Sequence, residues 1–90
     1  MISWFQHSRQ RWFAKPRQRG LAAYAQGRYI EALQAWREAS ERGDAEAQYR
    51  IGLLYARGQG VLQSMPDAVS WYRPAAEAGH LEAQLQLGLI

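Results

Sequence analysis

The chain repeats itself at an offset of 36 residues. Ala47-Gln48 aligns with Ala83-Gln84, and Gly52-Leu53 aligns with Gly88-Leu89. The same offset pairs Ala32 with Ala68, Trp36 with Tyr72, Ala39 with Ala75 and Gly43 with Gly79. Glycine, alanine and aromatic residues thus recur at fixed positions, and a period in the mid-thirties corresponds to one helix–turn–helix unit per repeat. Such a unit is stable because it buries its apolar face on a neighbour. The chain must therefore be a short array of stacked helix pairs.

Local chemistry sets the helix boundaries. Tyr29, Leu33, Trp36 and Ser40 recur at i, i+4, i+7 and i+11, with Ala32, Ala35 and Ala39 on the same side. Glu31, Gln34, Glu38 and Glu41 face away, so residues 28–42 read as an amphipathic helix. Gly43 is placed to stop it in the left-handed conformation, and Asp44 can cap the next helix. Residues 45–57 carry Ala47, Ile51, Leu54 and Tyr55 on one face and end at Gly58. A loop over residues 58–63 follows, with Val61 and Leu62 expected to turn inward. Ser64 then caps a helix over residues 66–78 that buries Ala68, Tyr72, Ala75 and Ala76 and stops at Gly79. A last helix opens at His80 or Leu81 and runs to Ile90. No segment alternates with period two, so the expected class is all-α. Pro74 falls inside a helix, where its ring forbids the bond to the Ser70 carbonyl at a cost of about 3 kcal/mol. A bend or a changed bonding pattern is expected between Ser70 and Pro74.

Composition removes most catalytic classes. Ninety residues make one small domain, and the absence of cysteine excludes a disulfide framework, a thiolate nucleophile and cysteine-based metal sites. No run of about 18 apolar residues is present to span a membrane as a helix. His7 and His80 are the two imidazoles and lie in different segments without a cluster of acidic ligands. Gly58-Gln59-Gly60 lacks the Lys-Ser/Thr that a phosphate loop needs, and reads as an inter-helix turn. The scattered serines have no histidine base at a recognisable spacing. No catalytic residue, cofactor or metal is expected. Charge is unevenly spread. Residues 1–20 carry five cations and no acid, whereas residues 21–90 carry six arginines against eight acids, a balance of −2. The first residues lack the continuous apolar stretch of a secretory signal, so a cytoplasmic location is expected.

Residues 44–79 resemble a Sel1-like repeat, a variant of the tetratricopeptide repeat with a longer loop between its two helices. The matching positions are Ala47-Gln48, Gly52, Tyr55, Gly58, Gly60-Val61, Ala68, Trp71-Tyr72, Ala75-Ala76-Glu77 and Gly79. Residues 16–43 resemble an ordinary tetratricopeptide unit through Gly20, Leu21, Tyr24, Gly27, Tyr29, Ala32, Trp36 and Ala39. Residues 80–90 resemble the first helix of a further repeat. The resemblance implies an α-solenoid of antiparallel helix pairs, a fragment of a right-handed superhelix, that scaffolds or binds proteins without catalysis. Gly52 and Ala68 are small enough for the two helices of a repeat to approach closely, with Trp71, Tyr72 and Tyr55 filling the space around the crossing. Pro74 stands where the family usually has a lysine or similar helix former.

If the tetratricopeptide geometry carries over, the first helix of each repeat lines a concave face. Its outward positions would be Arg17, Leu21 and Tyr24, then Glu46, Tyr49, Leu53 and Arg57, then Glu82, Leu85 and Leu89. These are the candidate binding residues for a protein or peptide partner, because Tyr and Arg often anchor interfaces. Leu53, Leu85 and Leu89 could instead pack on neighbouring helices. Residues 1–15 form a basic aromatic segment in which Ile2, Phe5, Trp12 and Phe13 share one side of a helical wheel. That segment reads as a cap on the first repeat, or as a membrane-surface anchor. No nucleic-acid-binding motif accompanies its cations, so nucleic acid is not expected as a partner. Leu85, Leu87, Leu89 and Ile90 have no second helix to cover them, and homo-oligomerisation through the terminal helix is expected.

Overall fold

The computed structural model describes residues 15–89. Five helices follow one another: α1 (Pro16–Ala25), α2 (Tyr29–Glu41), α3 (Ala45–Arg57), α4 (Met65–Glu77) and α5 (Leu81–Leu89). No strand occurs among the described residues. Each helix packs chiefly on its neighbours in sequence, which draws the body out to 52 × 26 × 17 Å. The fold is an all-α helical repeat.

The boundaries arise where the sequence places caps and stops. Asp44 Oδ1 accepts from the Ala47 N–H at 3.1 Å, and Ser64 Oγ accepts from the Asp67 N–H at 3.2 Å. His80 Nδ1 accepts from the Ala83 N–H at 3.1 Å, so His80 caps α5 and Leu81 opens it. Gly43 and Gly79, the glycines that follow α2 and α4, take φ of 82° and 94°, a region that costs a side chain but not glycine.

Two apolar clusters hold the layers together. Ala32, Leu33, Trp36 and Ala39 of α2 meet Ala47, Ile51 and Leu54 of α3 in the first. Ala68, Tyr72 and Ala75 of α4 meet Ala83 of α5 in the second, with Ala45, Tyr49 and Leu53 of α3 packed against it. Within each helix pair a glycine accepts an aromatic ring. A Cβ on Gly20 would fall inside the Trp36 indole, and one on Gly52 would fall inside the Tyr72 ring and 3.2 Å from the Ala68 carbonyl oxygen. Trp36 Nε1 also donates to the Arg17 carbonyl at 3.2 Å, so the buried indole N–H is satisfied.

Two local expectations need correction. Leu62 points to solvent, while Val61 packs on the first cluster. Backbone and side-chain bonds from Ser64 to the Tyr55 carbonyl and from Gln63 to the Ala56 carbonyl, each 2.9 Å, pin the loop. Leu87 is half-buried against the second cluster rather than open, whereas Leu85 and Leu89 are exposed; Ile90 lies outside the described residues. The helix continues through Pro74 from Met65 to Glu77, without the bond to the Ser70 carbonyl, which is the changed bonding pattern expected there. Ser70 and Pro74 are both exposed. The lost bond therefore falls on the solvent side, where water can take the carbonyl and where helix bonds lengthen most readily.

Because that site is open, Pro74→Lys restores one backbone bond without disturbing the core. The expected result is a melting temperature higher by roughly 5–10 °C, read by circular dichroism. An unchanged or lower value would show that curvature at Pro74 improves the packing of Tyr72 and Ala75.

Candidate functional site

The starts of α1, α3 and α5 are tied together by side chains that also serve as caps. Arg17 of α1 grips Asp44 with both arms of its guanidinium, Nε to Oδ2 at 2.7 Å and Nη2 to Oδ1 at 2.9 Å. Asp44 is at the same time the cap of α3. One repeat on, Glu46 Oε1 of α3 lies 2.6 Å from His80 Nε2, and His80 is the cap of α5. With Nδ1 accepting the Ala83 N–H, Nε2 carries the proton directed at Glu46. Arg50 closes the second oxygen of Glu46 at 2.7 Å, and the Tyr49 ring stacks on the imidazole at 4.6 Å.

Partial burial alone would raise both carboxyl groups. For Asp44, the Arg17 guanidinium and the Ala47 N–H outweigh that effect and hold the group below its ordinary value. For Glu46, the hydrogen bonds from His80 and Arg50 do the same. Both groups therefore work as anions.

A second junction joins the far ends of α1 and α3. The Tyr24 hydroxyl donates to Gln59 Oε1 at 3.0 Å and accepts from Arg57 Nη1 at 3.2 Å. Its ring lies against Tyr29 and Trp36, with centroids 5.2 and 5.8 Å away.

The ten candidate binding residues thus divide. Leu21, Arg57, Leu85 and Leu89 are exposed, and Tyr24 is half-buried with its hydroxyl held by Arg57. Arg17 is exposed but committed to Asp44. Glu46, Tyr49 and Leu53 lie in the packing between α3 and the elements that follow, instead of lining an open groove. Glu82, on the outer side of α5, is exposed and lies 3.6 Å from His80 Nδ1. His80 and Gln59 were not singled out as contact residues. The offset that places His80 opposite Asp44 was a signal for the first; the second has none. His7 and the residue 1–15 readings fall outside the described residues except at Lys15. Among the described residues no three His, Cys, Asp or Glu side chains gather as metal ligands.

Residues 45–80 match the family model of the Sel1 repeat. The crystal structure of a Sel1 repeat protein from Oxalobacter formigenes is similar in fold, with a TM-score of 0.73 and 36% sequence identity. The match covers 82% of this chain and 33% of that one, so the chain spans about a third of the length of that relative. No curated protein matches.

The lowered Asp44 and Glu46 carboxyls link stability to acid. Each contributes fully above the ordinary carboxylate range of about 4 and loses its contribution as pH falls through the lower folded value. The melting temperature is expected to hold between pH 7 and 5 and to fall below pH 4. Asp44→Ala removes a cap worth about 1 kcal/mol together with the Arg17 pair, and should flatten that acid limb. An acid limb unchanged in Asp44→Ala would show that other carboxyls cause it.

Proposed function

We propose that this chain, an all-α array carrying a Sel1 repeat at residues 45–80, is a non-catalytic protein-interaction module working in the cytoplasm. Sel1 repeats are generally protein–protein interaction modules. The observation that supports the reading here is the shared patch of α1 and α3, where exposed Leu21 and Arg57 flank Tyr24. The Tyr24 ring is held by Trp36 and Tyr29, and its hydroxyl by Gln59 and Arg57, so little order is lost when a partner settles on it. An apolar side chain beside Tyr and Arg suits a peptide or protein surface with an apolar residue next to a carboxylate. Self-association through the exposed leucines of α5 is part of the same proposal.

Affinity capture with the full chain, compared with Leu21→Glu plus Arg57→Glu, tests the patch. Leu21 lies at the surface and Arg57 gives one exposed hydrogen bond, to the Tyr24 hydroxyl, so the fold should survive, and the captured partner should fall at least tenfold. Equal capture by the two proteins overturns the patch. The rival reading makes residues 1–15 a membrane-surface anchor, on the strength of their cations and aromatics. Co-sedimentation with anionic vesicles that disappears on removal of residues 1–15 would favour it.

A further inference from the structure

His80 does two jobs with one ring. Its Nδ1 accepts the Ala83 N–H at 3.1 Å and so caps α5, while its Nε2 lies 2.6 Å from Glu46 Oε1 on α3. Both bonds form together only on a neutral imidazole, which has one nitrogen to donate and one to accept. Asp44, 36 residues earlier, caps α3 in the same place with a carboxylate. That anion goes on accepting well into acid, because Arg17 and the Ala47 N–H hold it against protonation. Imidazole, by contrast, is the side-chain type whose charge changes between about pH 5 and 8.

A proton on Nδ1 has a definite consequence. The new Nδ1–H and the Ala83 N–H then point at each other, and the cap bond cannot persist. An acceptor for Nδ1–H is already beside it. Glu82 Oε2 lies 3.6 Å away, on a side chain 65% exposed and so with room to close the gap. The ring has no such room. It is 10% exposed, the Tyr49 ring stacks on it at 4.6 Å, and Arg50 fixes Glu46 from behind at 2.7 Å. A charged ring gains at two of these neighbours: the Glu46 bond becomes charge-assisted, and the Tyr49 face receives a cation. On α4, Tyr72 lies behind Tyr49 with ring centroids 5.8 Å apart. The exposed Asp67, Arg73 and Glu77 of that helix make no ion pair with the imidazole among the described residues.

We propose that His80 is a proton-driven switch where α3 meets α5. Neutral, it caps α5 and holds Glu46. Protonated from solvent, it keeps Glu46, turns Nδ1–H to Glu82 and releases the Ala83 N–H. The first turn of α5 then loosens while its tether to α3 tightens. The Arg17–Asp44 junction has no such step over the same range, so mild acid acts on one junction and leaves the other fixed. The inference is independent of the partner patch at Tyr24.

The lost cap and the gained ion pairs oppose each other in total stability, so the test must be local. Nuclear magnetic resonance on the full isotope-labelled chain provides it, with His7→Gln leaving His80 as the one imidazole. At about pH 8 the ring nitrogens should show the Nε2–H tautomer. On acidification to about pH 5, the ring signals and the Ala83 amide should move with one shared midpoint. Protection of that amide from exchange should fall about fivefold. The Ala47 amide, capped by Asp44, should not follow. Glu82→Ala puts a strong helix former at an exposed position, so it should leave the neutral state intact and lower the midpoint by roughly 0.2–0.7 pH unit. His80→Asn supplies a cap that takes up no proton, and the Ala83 step should vanish.

A ring that stays neutral to about pH 5, or that carries its proton on Nδ1 at about pH 8, overturns the switch. So does an Ala83 amide that ignores the titration of the ring, or a step that persists in His80→Asn. A midpoint unchanged in Glu82→Ala overturns the part given to Glu82.

Discussion

The approach of each helix pair is governed by a residue with no side chain. Tyr72 is fully buried because its ring occupies the volume that a Cβ on Gly52 would need, with the Ala68 carbonyl next to it. Trp36 stands in the same relation to Gly20. Burying a large aromatic removes about 150–250 Å² from water, on the order of 4–6 kcal/mol before entropy is counted. Any larger residue at the glycine would push the ring out and lose that burial. The price of glycine in a helix, about 1 kcal/mol, is much smaller. The close spacing of the two helices within each pair follows from this lock.

Stacking one pair on the next uses a different device. The residue that caps each first helix is also held by the first helix of the preceding repeat: Asp44 by Arg17, His80 by Glu46. The acid is the cap at the first junction and belongs to the preceding helix at the second, yet the arrangement is kept. Exposed ion pairs contribute little by themselves. Here one side chain satisfies a helix terminus and a neighbour together, so displacing the neighbour also weakens the cap. The junctions therefore favour one angle between repeats, while the apolar clusters supply most of the energy.

Periodicity and caps carried much of the fold before any coordinates. The helices over residues 29–41 and 45–57 lie where the i, i+4, i+7 pattern put them, because glycine stops and Asp or Ser caps act locally. Pro74 removes one backbone bond from its helix by local chemistry alone, whereas the side on which the gap falls, toward water, is a tertiary fact. Leu62 was misplaced for a similar reason, since distant backbone bonds fix the loop. The candidate contact residues were hardest to assign. A helix in a stacked array has one side toward its partner, one toward the adjoining repeat and one toward solvent. A wheel shows that Tyr49 and Leu53 share a face, but not that α4 and α5 lie over it.

That three-sided character keeps the proposed binding patch apart from the proposed association face. Leu85 and Leu89 sit at positions which, in α3, belong to the stacking side and not to an open groove. Leu21, Tyr24 and Arg57 sit where α1 and α3 meet and remain in part open after both pairs have closed. A ligand there need not compete with the stack, and a copy associating through α5 need not cover the patch. An array that uses different sides of its helices for its own closure and for its partners can assemble without losing its binding surface.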